Sequence, residues 1–225
     1  MLQYQEQLNL TIPDTVTIVG CGGVGSWAAI GLAMAGIPNI FLFDPDVMEE
    51  SNRNRLPFCQ SSLNRPKVEI VAEYIRAIRP DCTVVAIQEK LEGILLDVQL
   101  GLSNLIIEAT DSPKTQLSIF KACKNHNIRF IRAGYDGGTH FTITSNVSGW
   151  IKTDVEEETY AVQPSWVGTC LVLAGLLLNK IMRCPNQEVS ADLDEIGIAV
   201  LQRPKNIRLT PRCNQEAGRN RIRPS

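Results

Sequence analysis

Apolar positions in this chain fall into short runs separated by longer periodic stretches. Val16-Thr17-Ile18-Val19, Asn39-Ile40-Phe41-Leu42-Phe43, Thr83 to Ile87, Leu105-Ile106-Ile107-Glu108-Ala109 and Ile128 to Ala133 are rich in β-branched and apolar residues, the pattern of buried strands. An alanine-rich helical pattern follows the first run to Gly36. Pro66 suits the first turn of a helix to about Arg79, with Val68, Val71, Ala72 and Ile75 on one face. Gly93 to Leu100 reads as a short helix, and Ser112 to Asn127 as a longer one with Pro113 near its start. Strand and helix therefore alternate, which predicts an α/β fold: a mainly parallel sheet with helices on both faces. After a turn at Gly134 to Gly138, Thr139 to Val147 alternates like a strand of an antiparallel C-terminal extension.

The remaining segments add less. Thr153 to Thr159 is acidic and reads as an exposed loop, and Pro164 to Arg183 as a long apolar helix. Ile196 to Leu201 and Ile207 to Leu209 look like two short strands, compatible with a hairpin. Met1 to Asp14 fits a short helix or an arm. Arg203 to Ser225 carries seven basic residues against the single acid Glu216, and reads as a solvated tail. A length of 225 residues suits one α/β domain, residues 1–225, better than two.

The first strand ends on Gly20-Cys21-Gly22-Gly23-Val24-Gly25, a helix follows, and the second strand stops on Asp44. Strand, glycine turn, helix, strand and acid, in that order, make a mononucleotide-binding unit and give the expected sheet a Rossmann-like character. Gly20 permits the tight turn, Gly22 lets backbone N–H groups approach a phosphate, and Gly25 lets the helix sit close on the sheet; Gly23 belongs to the same cradle. The helix N-terminus offers N–H donors and the positive end of its dipole to an anion. Asp44 stands where a carboxylate accepts hydrogen bonds from ribose hydroxyls.

Composition narrows the setting. With 20% charged residues and a formal net charge of −2, the chain has no electrostatic signature of a nucleic-acid or membrane partner. The longest apolar stretch, Val167 to Leu178, is too short to span a bilayer. The start is polar, without the basic and apolar regions of a signal peptide. Seven cysteines lie far apart with no C-x-x-C pair, which predicts reduced thiols in a cytoplasmic protein. His126 and His140 fit no metal-ligand spacing.

The long loop after the second strand holds the remaining chemistry, because a loop of this length is usually functional or disordered. It reads Asp44-Pro45-Asp46-Val47-Met48-Glu49-Glu50-Ser51-Asn52-Arg53-Asn54-Arg55, with Arg65-Pro66-Lys67 further on and Thr110-Asp111-Ser112 after a later strand. These spaced motifs resemble those of the ThiF-type adenylating enzymes, relatives of ubiquitin-activating enzymes, whose pattern runs D-x-D-x-V-x-x-S-N-L-N-R-Q, then G-x-P-K, then T-D-N. The resemblance covers Val16 to Arg132 well and the helix from Pro164 more loosely. It implies an ATP·Mg²⁺-dependent adenylation of a carboxylate. The implied substrate is the C-terminus of a ubiquitin-like or sulfur-carrier protein, and the implied assembly a homodimer. By resemblance Asp44 meets ribose, Asn52, Arg55 and Lys67 meet phosphates, and Asp111 is the metal-linked acid, with Arg55, Lys67 and Asp111 as the catalytic set.

Residue chemistry agrees. Attack of a carboxylate on the α-phosphorus of ATP needs cations and a metal against the developing charge. Arg55 can fork two phosphate oxygens, Lys67 adds a point charge, and Asp111 suits Mg²⁺, which prefers one or two carboxylates plus phosphate. Asp46 is a further candidate for nucleotide contact and serves equally as a turn residue, as does Ser51.

The chain departs from the pattern in three ways. No Arg precedes Arg53, where many relatives carry an Arg that reaches the ATP site. No cysteine lies between Cys123 and Cys170, where thioester-forming relatives place theirs, and Cys170 falls in the apolar helix as a small buried thiol. The zinc cysteine pairs of several relatives are missing. Adenylation of a small-molecule or peptide carboxylate, a non-catalytic nucleotide-binding subunit, and an NAD-dependent oxidoreductase remain as alternatives.

Overall fold

Every strand expected up to residue 147 is present in the computed structural model, which describes residues 5–56, 58, 60–135, 140–147, 165–183 and 189–192. The strands are β1 (Thr15–Val19), β2 (Asn39–Phe43), β3 (Thr83–Ile87), β4 (Leu105–Glu108), β5 (Arg129–Tyr135), β6 (His140–Thr144) and β7 (Val189–Asp192). Among the described residues they form one seven-stranded sheet in the order β3-β2-β1-β4-β5-β6-β7. The first five are parallel, and β6 and β7 add on antiparallel. The helices are α1 (Gly23–Met34), α2 (Lys67–Ile78), α3 (Gly93–Leu102), α4 (Pro113–Asn125) and α5 (Val167–Met182).

Side-chain alternation along β1 decides what each sheet face covers. Val16 and Ile18 join the larger core with α1, α2 and α5, while Val19 joins Leu96, Leu100, Ile119 and Phe120 from α3 and α4. Thr17 is a polar residue at a fully buried position of β1. Its hydroxyl bonds Ser103 Oγ at 2.7 Å and accepts from Gln99 Nε2 at 2.6 Å, so the buried group is satisfied. Helix α1 is apolar on nearly all sides because it lies between the sheet and α5, with Ala28, Ala29, Leu32 and Ala33 fully buried.

Several boundaries differ from the sequence expectation. Strand β5 runs on through Gly134 and Tyr135 instead of turning at Gly134, because Gly134 pairs with Thr142 and Tyr135 with Phe141 of β6. Strand β7 was not expected; it completes the antiparallel extension. The N-terminal arm contains a 3-10 turn, Glu6–Leu8, and is docked, with Thr11 N–H donating to Met182 O at 3.0 Å. The loop after β2 is ordered by its own small core of Met48, Leu56 and Ile70. It is also pinned by hydrogen bonds from Met48 N to Arg65 O and from Asn64 N to Met48 O, both 2.8 Å. The expected hairpin at 196–209, the acidic loop and the basic tail lie outside the described residues. No helix among the described residues is long and apolar enough to cross a membrane.

Register places the site. Ile87, Phe43, Val19, Glu108 and Arg132 stand in one row across β3, β2, β1, β4 and β5 at the carboxyl end of the parallel strands. The chain grows outward from β1 in one direction to β2 and in the other to β4. Between β1 and β4 the strand order therefore switches, and open α/β sheets leave a crevice there for a ligand.

Candidate functional site

The glycine turn occupies that crevice. Gly20 has φ +92°, and a Cβ there would lie 2.8 Å from Ala109 O, so the end of β4 closes tightly on the turn. A Cβ on Gly25 would come within 1.8 Å of Gly20 O, which makes glycine obligatory where α1 leaves the sheet. Gly22 differs: a Cβ there would meet nothing within 4 Å among the described residues. It is the N-cap of α1 and, being glycine, brings no capping side chain of its own, and no acid sits in the first turn. An open, uncapped helix N-terminus of this kind receives an anion.

Asp44 is 6% exposed, and both of its oxygens accept backbone N–H groups, Oδ2 from Cys21 at 2.6 Å and Oδ1 from Asp46 at 2.8 Å. It thus ties the turn to the loop, and each oxygen retains a second lone pair for a ligand. Burial raises its carboxyl above the ordinary range, against the pull of the nearby Lys67 ammonium and the two N–H donors. Burial, reinforced by Asp44, holds the Cys21 thiol well above its ordinary value, so this sulfur stays protonated inside the turn.

Lys67 opens α2, almost buried, with Nζ 2.8 Å from Asp46 Oδ2. Arg55 lies across the start of α1. Its Cδ would be 3.2 Å from a Cβ on Gly23, its carbonyl accepts Trp27 Nε1 at 2.9 Å, and its Nη1 donates to Ser51 O at 3.0 Å and Asn54 Oδ1 at 2.9 Å. Asn52 is buried and shapes the loop: Glu49 N donates to its Oδ1 at 3.1 Å in a capping box, and its Nδ2 donates to Ser51 Oγ at 3.4 Å, which leaves one amide hydrogen to face a ligand. Asp111 is exposed in the bend after β4, two residues beyond Ala109, with its carboxylate accepting no hydrogen bond among the described residues. Turn, Asp44, Arg55 and Lys67 thus gather at one end of α1, and Asp111 enters from the neighbouring strand end.

Sequence reasoning missed Glu108. Its side chain is fully buried, Oε1 accepts Thr110 N at 2.8 Å and also the Thr110 hydroxyl, and Oε2 makes no hydrogen bond among the described residues, with Arg132 Nε 3.7 Å away. Burial pushes this carboxyl up to about 7, while the Thr110 donors and Arg132 pull it back. Glu108 therefore sets the Thr110-Asp111 bend from below. The available signal was an acid closing an otherwise apolar strand.

Tyr135 and Ser165 were also missed. Cys170 Sγ donates to the Tyr135 hydroxyl at 3.5 Å, Tyr135 bonds Ser165 Oγ, and Asn54 Nδ2 donates to Ser165 O at 2.5 Å. Cys170 is buried as expected, yet it abuts the glycine turn, 2.5 Å from where a Gly23 Cβ would stand. Burial raises its thiol, although the Tyr135 hydroxyl and the Arg55 charge pull the other way. Cys59 lies outside the described residues. His126 caps the end of α4 through Ala122 O, and His140 is exposed; no cluster of three metal-binding side chains occurs among the described residues.

A family model described as "ThiF family" matches residues 3–195. The chain belongs to the ThiF family. The tRNA threonylcarbamoyladenosine dehydratase of Haemophilus influenzae is 34% identical over 125 residues, covering 55% of this chain and 48% of that protein. The sulfur carrier protein ThiS adenylyltransferase of Escherichia coli is 32% identical over 127 residues, covering 56% of this chain and 51% of that protein. This ThiF-family chain thus spans about half the length of the curated relatives it matches. A crystal structure of E. coli MccB with AMPCPP and MccA shares the fold, with a TM-score of 0.67 at 20% identity over 80% of this chain and 61% of that one.

Proposed function

We propose that this protein binds ATP·Mg²⁺ and adenylates a carboxylate, the C-terminus of a ubiquitin-like or sulfur-carrier protein being the substrate. The observation that carries the reading is the pairing of an uncapped α1 N-terminus with two cations, Arg55 over Gly23 and Lys67 at the head of α2. A glycine turn and an acid alone would serve a dehydrogenase; the two cations are what transfer to a phosphorus needs. The kinship to a ThiS adenylyltransferase supports the same chemistry.

On this reading the α1 N–H groups and Gly22 hold phosphate oxygens, and Asp44 receives the ribose hydroxyls on its free lone pairs. Arg55 and Lys67 take up charge as the carboxylate adds to the α-phosphorus and pyrophosphate departs. The substrate carboxylate is itself the nucleophile, so positioning and charge screening are the enzyme's whole contribution. Asp111 fits the metal: an exposed carboxylate without a competing partner among the described residues, at a site that phosphate oxygens would complete. Mg²⁺ there supplies Lewis-acid screening of the phosphates. A cytoplasmic homodimer, with residues 1–225 as one adenylation domain, belongs to the same reading, supported by the resemblance and by the buried free thiols.

A second reading keeps the chemistry and changes the acyl group. Relatives named tRNA threonylcarbamoyladenosine dehydratase favour a carboxylate borne on a modified nucleoside. Pyrophosphate exchange into ATP, with candidate carboxylates added one at a time, separates these. Exchange that depends on a protein C-terminus supports the first reading, and dependence on modified tRNA supports the second. NAD binding without ATP binding contradicts both.

A further inference from the structure

The Arg55 guanidinium is a charge at the end of a long side chain, yet it is fixed from several directions. Its backbone is held on α1 by Trp27 Nε1 at 2.9 Å, and its stem packs on Gly23. Its Nη1 is directed by Ser51 O and by Asn54 Oδ1. Asn54 is exposed, and an exposed amide does not orient a guanidinium unless something orients the amide. Here Asn54 Nδ2 reaches 111 residues along the chain to the carbonyl of Ser165, immediately before α5. Ser165 in turn bonds through Oγ to the Tyr135 hydroxyl, at the end of β5 in the central sheet. Burial pushes the Tyr135 hydroxyl up to about 12, so it remains protonated and neutral throughout the working range of pH.

We propose that Tyr135, Ser165 and Asn54 form a relay that positions the Arg55 guanidinium over the α1 N-terminus. Tyr135 is the fixed end, because it pairs with Phe141 of β6 on a strand whose first four residues, Arg129 to Arg132, also pair with β4. Ser165 transmits the position of the chain entering α5, and Asn54 converts it into the direction of Nη1. None of the three touches the reacting atoms on this account; all act through Arg55. The relay rests on the proposed adenylation only for its catalytic consequence, since the placement of Arg55 precedes any ligand.

The test uses Tyr135→Phe, which keeps the ring and removes the hydroxyl, and Asn54→Ala, each with Arg55 present and in the Arg55→Ala background. The first readout is the order parameter of the Arg55 Nε–H group in the ligand-free protein, measured by NMR relaxation. The second is kcat and the ATP KM of pyrophosphate exchange. A displaced cation costs rate more than ground-state binding, so a roughly tenfold fall in kcat with ATP KM within about twofold is expected. The order parameter falls in both variants, and neither lowers kcat further once Arg55 is absent. An unchanged order parameter overturns the relay, as does an equal loss in the Arg55→Ala background. If the parent protein catalyses no exchange, the proposed activity fails, and the order parameter alone then decides for or against the relay.

Discussion

Glu108 makes the stability of this protein depend on pH in a calculable direction. The folded chain holds its carboxyl at about 7, against an ordinary value of 4.5, so the folded state binds this proton more tightly than the unfolded chain does. Its contribution is fully present below about 4.5 and is lost as pH rises through about 7. At ~1.4 kcal/mol per pH unit, the difference amounts to about 3 kcal/mol between pH 4.5 and pH 8. Glu108→Gln removes the titration while keeping an oxygen to accept from Thr110. Urea unfolding of both proteins from pH 4.5 to 8.5, with the slope m checked for constancy, isolates this one group from the rest of the chain. The variant gains on the parent as pH rises, by about 3 kcal/mol across the range if the unfolded carboxyl is ordinary. A stability difference that stays flat with pH refutes the reasoning and means that Arg132, 3.7 Å away, already pairs with an ionised Glu108.

Other predictions follow from contacts at the glycine turn. Gly25→Ala places a methyl 1.8 Å from Gly20 O, forcing α1 off the sheet. The expected cost is roughly 1–3 kcal/mol or more, with ATP binding lost, and an unshifted urea midpoint contradicts it. Arg55→Ala and Lys67→Ala each lower exchange by about 10²–10³-fold while leaving circular dichroism unchanged. Lys67 removal is tolerated by the fold because its partner Asp46 is 64% exposed and falls back on water. The double variant Cys59→Ala, Cys170→Ala retains exchange, because Cys170 is a buried thiol kept protonated by its surroundings; a reducible acyl adduct that disappears with either change opposes this.

Much of the fold was legible because the chain's own chemistry is local. Buried parallel strands leave uninterrupted apolar runs, so β1, β2 and β4 appear in the sequence nearly at their observed limits, and β3 does so too, although it ends the strand order and only Val84 on it is buried. Strand ends set by pairing rather than by composition were not legible: β5 continues past Gly134 only because β6 folds back on it. The site divides the same way. Gly20, Gly25 and Asp44 follow from turn geometry at fixed spacing, whereas Asn52 proves to shape the loop through Glu49, a use that its position in a motif does not reveal. Glu108 and Tyr135 were invisible because their significance is burial and a long-range partner, and sequence spacing encodes neither. Asn54 stood within the motif, but its link to Ser165 crosses 111 residues and exists only after α5 has docked on α1.

The central claim, that a carboxylate oxygen attacks the α-phosphorus of ATP, is tested most directly by isotope transfer. The protein is incubated with ATP·Mg²⁺ and an acyl substrate whose carboxylate carries ¹⁸O, and the released nucleotide is weighed by mass spectrometry after acyl transfer or hydrolysis at the carbonyl. The account predicts AMP carrying one ¹⁸O from the carboxylate, unlabelled pyrophosphate, and loss of both products with Arg55→Ala. Formation of ADP with labelled phosphate, or AMP without label, contradicts it.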